Sequence, residues 1–210
     1  VIYFKIKNQN ENFIENLINN FLTVKNSFIF ESVEKGKFKG RFTIFGKNPD
    51  KIWEFNNDKC YLYDSDSKRK LKGKVLDVIE KIIEEFRFKV PKEVPNISSL
   101  ISGYFSYDLI KYVEKIGNKC IDNLNLPDSR ILRPKELVIH DNIKKETFYI
   151  YNCYTDEKIY NYDKKYNEIK KSIEYNIFIS NYVQKNLNYT KKIGIIKSNI
   201  SKKRFLQNVK

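Results

Sequence analysis

Alanine and methionine are absent from this chain of 210 residues, and histidine and tryptophan occur once each. Every Ala codon needs G and C, whereas the abundant Lys, Asn, Ile, Phe and Tyr can be encoded largely from A and T. The formal net charge of +14 is therefore read as compositional drift over solvated faces. Lys outnumbers Arg and is scattered, and no recognition motif accompanies the charge, so a nucleic-acid partner is not expected. The single His140 excludes a multi-His metal site, and any Ser-His-Asp triad would rest on it alone. It ends the apolar run Leu137-Val138-Ile139 and is read as structural. Cys60, Cys120 and Cys153 are odd in number and lack C-x-x-C spacing, which excludes a disulfide scaffold and a zinc cluster. No apolar run approaches a membrane span and no signal peptide is visible, so a soluble, cytoplasmic protein without membrane association is expected. There is no P-loop or Rossmann glycine pattern and no internal repeat. Asp64-Ser65-Asp66-Ser67 lacks the Gly and distal Glu of a calcium loop and reads as a polar turn.

What is present suffices for a core: 41% hydrophobic residues, 15% aromatic. Val1 to Ile6 suits an edge strand, and Phe13, Leu17, Ile18 and Phe21 mark a short amphipathic helix. Asn48-Pro49 predicts a turn, with separate strands at Lys51 to Phe55 and Lys59 to Tyr63. Val75 to Phe88 predicts a helix with Leu76, Ile79, Ile83 and Phe86 on its apolar face. Ile97 to Phe105 reads as a strand, followed by a helix to about Ile116 capped by Ser106 or Asp108. Glu136 to His140 and Thr147 to Asn152 form a hairpin around Asp141-Asn142. Asp163 to Ile177 is helical, with the stripe Tyr166, Ile169, Ile173 and Ile177. Asn181 to Lys192 reads as a linker, Ile193 to Ile196 as a short strand, and Ser201 as the N-cap of a helix carrying Phe205, Leu206 and Val209. Hairpins interrupted by helices argue an α+β fold with mostly antiparallel sheet. With no initiating Met, and a last helix with nothing to pack on, the chain is expected to be part of a longer protein.

The most informative stretch runs from Ser27 to Gly46. It reads as two alternating strands joined near Val33 to Gly36. Phe38, Gly40, Phe42 and Ile44 share one face, and Lys39, Arg41 and Thr43 the other. Its polar candidates are Glu31, Ser32 and Arg41. Taken alone, they read as ordinary surface groups on a hairpin.

Four segments in order carry a resemblance. Ser27-Phe28-Ile29-Phe30-Glu31-Ser32-Val33-Glu34 with Gly40-Arg41-Phe42-Thr43-Ile44-Phe45-Gly46 is similar to S-F-L-L-E-S-V-E and G-R-Y-S-F-I-G. Gly103-Tyr104-Phe105-Ser106-Tyr107-Asp108 with Tyr112 and Glu114 is similar to G-Y-x-S-Y-D-x-x-R-Y-x-E. Leu126-Pro127-Asp128 leads into Arg133 to Asp141, and Ser198-Asn199-Ile200-Ser201 with Phe205 is similar to S-N-x-S-x-x-x-F. Together they resemble the N-terminal region of anthranilate synthase component I. Ser99 and Leu100 depart from the family's usual Gly-Gly.

The resemblance implies residues 1–180 as that N-terminal region, 181–192 as linker, and 193–210 as the start of a chorismate-binding domain. It implies an enzyme that with Mg²⁺ converts chorismate and ammonia, drawn from glutamine by an amidotransferase subunit, into anthranilate and pyruvate. Chorismate and Mg²⁺ would bind outside this chain, so no residue here is expected to be catalytic. The region would instead hold the L-tryptophan feedback site, marked by Glu31-Ser32. A zwitterion needs acceptors for its ammonium and donors for its carboxylate: Glu31 suits the first, Ser32 a polar end, Arg41 the second, with Phe30 or Phe42 against the indole. Aminodeoxychorismate synthase component I, whose N-terminal region is similar, and a stand-alone amino-acid-binding module are the alternatives.

Overall fold

Strand β3, Phe42–Asn56, is the spine of the molecule: β7, Ser129–Asp141, pairs with it along nearly its whole length. The computed structural model describes residues 1–6, 13–31, 40–64, 67–86, 90–115, 122, 124–154, 161–178 and 200–208. Around the spine lie β1 (Ile2–Ile6), β4 (Lys59–Asp64), β5 (Ser67–Leu71) and β8 (Glu146–Tyr151), giving the order β1-β8-β7-β3-β4-β5. Two short strands complete the sheet, β2 (Phe28–Phe30) beside β3 and β6 (Ser102–Phe105) beside β7. Every pairing is antiparallel, as expected for the α+β class.

The expected turn at Asn48-Pro49 does not form. The chain runs on as one strand with a register shift between Pro49 and Lys51. Pro49 lies opposite Pro134, and neither can donate to the ladder, so an interruption costs little there. Asn48 takes a positive φ of 49°, a conformation Asn tolerates well. The Pro134 carbonyl accepts the Tyr154 hydroxyl at 2.8 Å instead. Arg133 pins the irregularity by donating Nε–H to Asp50 Oδ1 at 2.8 Å and pairing Nη2 with Oδ2. The extra residue switches the strand's alternation. Ile44 lies opposite Ile139, and beyond the shift Trp53 lies opposite Ile131, so the apolar set stays on one face.

Both faces of the sheet are covered. On one, Phe45, Val138, Tyr149 and Tyr151 pack against α1 (Phe13–Phe21), through Phe13, Leu17 and Phe21, and against Ile169 of α3 (Tyr162–Phe178). On the other, Ile44, Leu137, Ile139, Phe148 and Ile150 meet Phe28, Val90, Val94 and Leu100. Farther along, Trp53, Phe55, Cys60, Leu62 and Ile131 meet α2 (Val75–Glu85). Thr43, read on the face opposite Phe42 and Ile44, is consequently buried, its Oγ1 accepting Asn142 Nδ2 at 3.2 Å.

Three further expectations change. The buried face of α2 is Val75, Val78, Ile79 and Ile82, whereas Leu76 and Ile83 are exposed; β4 sets the helix's rotation, which its own periodicity did not resolve. Ile97 to Phe105 is divided into a 3₁₀ turn, Asn96–Ser98, and β6. The helix expected to reach Ile116 is a 3₁₀ segment, Tyr107–Tyr112; Ser106 sits at its N-cap, but neither its side chain nor Asp108 caps it. Two glycines are required by close approach. A Cβ at Gly46 would lie 2.2 Å from the Phe28 ring, and one at Gly103 2.0 Å from the Arg130 carbonyl oxygen.

The chain divides into Val1–Ser180 and Asn181–Lys210. In the second unit the described element is α4, Lys202–Asn208, where Ser201 Oγ accepts the Arg204 N–H at 3.3 Å as expected of an N-cap. The expected linker 181–192 and strand 193–196 lie outside the described residues.

Candidate functional site

Arg41 directly precedes β3, and the register that pairs Phe42 with Asp141 carries it to the end of β7. There it is not free, as a surface charge would be. Nε and Nη2 both donate to Asp141 Oδ2, at 3.0 and 2.8 Å. Asp141 is only 4% exposed, against 42% for Arg41, and its Oδ1 accepts the backbone N–H groups of Ile143 and Lys144. Burial alone would raise the Asp141 pKa; the Arg41 bonds and the two backbone donors outweigh it and hold the carboxyl below its usual range. The guanidinium also lies over the Phe42 ring, 4.7 Å from its centroid. This pair borders a groove of about 390 Å³ lined by Phe42, Lys92, Val94, Lys144 and Phe148.

Glu31, the first residue after β2, is exposed. Phe30 before it lines a different groove, of about 500 Å³, with Ile83, Phe86, Leu100, Ile101 and Phe105. Phe30 is 47% exposed and Phe105 58%. The two aromatic walls considered for one ligand, Phe30 and Phe42, thus line separate grooves, and Arg41 borders only the second ring's. Ser32 lies outside the described residues.

A polar cluster that the sequence did not single out joins two of the resembling segments. Asp128 accepts Lys111 Nζ at 2.7 Å, the Tyr112 hydroxyl at 2.6 Å and the Asn57 N–H at 3.0 Å. The Tyr112 oxygen in turn accepts the Asp58 N–H at 3.1 Å. Asn57 and Asp58 turn the chain between β3 and β4 with positive φ, and the Asp128 backbone bridges the Phe55 carbonyl and the Ser106 N–H. Burial works against the charge on Asp128, but the donors prevail and lower its pKa; burial and the same carboxylate push Tyr112 well up. Asp128 takes three donors from two segments, so the cluster is a joint between them. The signal available in sequence was the co-occurrence of Leu-Pro-Asp with Gly-Tyr-Phe-Ser-Tyr-Asp.

His140 is buried, with Nδ1 2.8 Å from Thr147 Oγ1, and burial lowers its pKa. Among the described residues no group of three or more His, Cys, Asp or Glu could hold a metal ion. No described helix is long and apolar enough to cross a membrane.

No protein-family profile matches the chain. It is 30% identical over 189 residues to anthranilate synthase component 1 of Acetivibrio thermocellus, covering 87% of this chain and 38% of that protein. Against the Cereibacter sphaeroides protein of the same name it is 31% identical over 125 residues, 57% of this chain and 25% of the relative. The crystal structure of anthranilate synthase component I from Streptococcus pneumoniae superposes with a TM-score of 0.52 at 21% identity, over 75% of this chain and 34% of that one, which supports the fold. The chain spans well under half the length of these relatives. The chain belongs to the anthranilate synthase component I family.

Proposed function

We propose that this chain is the regulatory part of an anthranilate synthase component I, a lyase of tryptophan biosynthesis. The supporting observation is the 30% identity that runs through 189 residues, covering 87% of this chain. In this reading residues 1–180 form the regulatory region, 181–192 a linker, and 193–210 the start of the part that binds chorismate and Mg²⁺. The whole enzyme, with a glutamine amidotransferase subunit, turns chorismate and ammonia into anthranilate and pyruvate in the cytoplasm. L-Tryptophan binds at Glu31, Ser32 and Arg41 and lowers that activity.

Glu31 suits the ammonium by charge and exposure, Ser32 supplies a hydroxyl, and Arg41 offers guanidinium donors to the carboxylate. The indole takes an aromatic wall, and the separate placing of Phe30 and Phe42 assigns that role to one of them at a time. Inhibition requires tryptophan to favour one of two arrangements of the enzyme, since equal affinity for both shifts nothing.

Product identification tests the reading. The full-length protein, supplied with chorismate, Mg²⁺ and either ammonia or glutamine plus the amidotransferase, is expected to release anthranilate and pyruvate. Accumulation of 4-amino-4-deoxychorismate would move the assignment to aminodeoxychorismate synthase. Tryptophan binding without any product from chorismate would leave a stand-alone amino-acid-binding module.

A further inference from the structure

We propose that Asp141 is a positioning residue, the fixed counter-ion that presents Arg41 to a ligand carboxylate. The inference rests on the reading above, in which Arg41 meets the carboxylate of an amino acid. A guanidinium carries five N–H donors in a planar fork. Asp141 takes the side-on edge alone, through Nε–H and Nη2–H to the same oxygen. The end-on edge, formed by Nη1 and Nη2, gives no hydrogen bond to any other described side chain, and Arg41 lines the groove of about 390 Å³. That edge is the one a carboxylate grips through two parallel bonds.

The anchor is itself held through both carboxylate oxygens. Asp141 Oδ1 is held at 3.0 Å by the N–H groups of both Ile143 and Lys144 in the turn between β7 and β8. Its side chain is almost wholly buried, while that of Arg41 is 42% exposed. The Phe42 ring beneath the guanidinium fixes the remaining tilt. A long, half-exposed side chain is thereby ordered before any ligand arrives, and ordering it on binding is the cost avoided. The alternative, that Asp141 blocks Arg41 by occupying it, would require the end-on edge to be the one engaged.

Calorimetry on the full-length protein with L-tryptophan and L-tryptophanamide, which lacks the carboxylate, tests this. Asp141→Asn retains an oxygen for the Ile143 and Lys144 N–H groups but loses the ion pair. It is expected to weaken tryptophan by about two- to tenfold and to leave tryptophanamide unchanged. Equal weakening of both ligands, or tighter tryptophan binding, would overturn the proposal. Arg41→Ala separates the inference from the reading beneath it. If Arg41→Ala leaves tryptophan affinity unchanged, the reading of Arg41 fails and this proposal with it. If Arg41→Ala weakens tryptophan and Asp141→Asn does not, only the proposal fails. A measurement on the unmutated protein covers the case in which Asp141→Asn does not fold. The Arg41 Nε–H resonance, assigned with Arg41→Lys, should be protected from exchange without ligand and stay so when tryptophan is added. Loss of that protection on binding would contradict positioning.

Discussion

Asp128 gathers three donors from two separate stretches, Asn57 and Lys111-Tyr112, and its removal would leave each of them short of a partner. Replacing it by Asn keeps the size and removes the charge. Because stranding hydrogen-bonded partners of a buried charge is costly, Asp128→Asn is expected to lower stability by about 2–4 kcal/mol, read as a fall in the urea midpoint. The same carboxylate carries a pH signature. Asp128 and Asp141 both have folded pKa values below their usual one. Stability from such groups is present above the unfolded value near 3.9 and is lost as pH falls through the lower folded value. The urea midpoint should therefore drop on acidification below about pH 4, and less steeply in Asp128→Asn. An equal acid slope in the two proteins would contradict this account. Residue-scale reading of the sequence found the Leu-Pro-Asp and Tyr-Asp segments but could not bring them together, because their meeting depends on a turn at Asn57-Asp58 that belongs to neither. It likewise saw Arg41 as a free charge, since its counter-ion Asp141 is 100 residues away.

At the scale of elements, most types were legible; the 3₁₀ segments at Asn96–Ser98 and Tyr107–Tyr112 and the strand β5 were not, and neither was the phase of α2. The antiparallel pairing of β2 with β3, the β7–β8 hairpin, α1, α2 and α3 all follow from apolar periodicity. The β3 irregularity was hidden because Asn-Pro ordinarily starts a turn; only a second proline on the facing strand makes passage through it tolerable. Helix α2 carries apolar residues nearly all the way round one side, so periodicity allowed two neighbouring phases, and contact with β4 and Ile131 selects between them. The choice has a consequence that mutation can read. Ile82, 6% exposed and on the observed face alone, should cost about 2–4 kcal/mol on truncation to Ala through lost burial and a cavity. Leu76, 38% exposed, should tolerate Gln within about 1 kcal/mol. Thermal melts of the two variants check the ordering, and the reverse ordering would mean the helix packs in the other phase.

For the whole molecule, the fold is a scaffold on which two grooves flank the β2–β3 pair, one beside Arg41 and one beside Phe30. Neither composition nor periodicity pointed to a ligand there; the ordered family segments did, and the relatives support the family while this chain spans 25% and 38% of two of them. In the proposed function this part of the enzyme senses tryptophan through the Glu31-Ser32 segment. Anthranilate formation by the full-length protein, titrated with L-tryptophan for the unmutated form and for Ser32→Ala, tests it most directly. Losing one hydrogen bond and stranding its partner costs about 1–3 kcal/mol, so the variant should need about ten- to a hundredfold more tryptophan for half-inhibition. An identical inhibition curve for both proteins would contradict the claim.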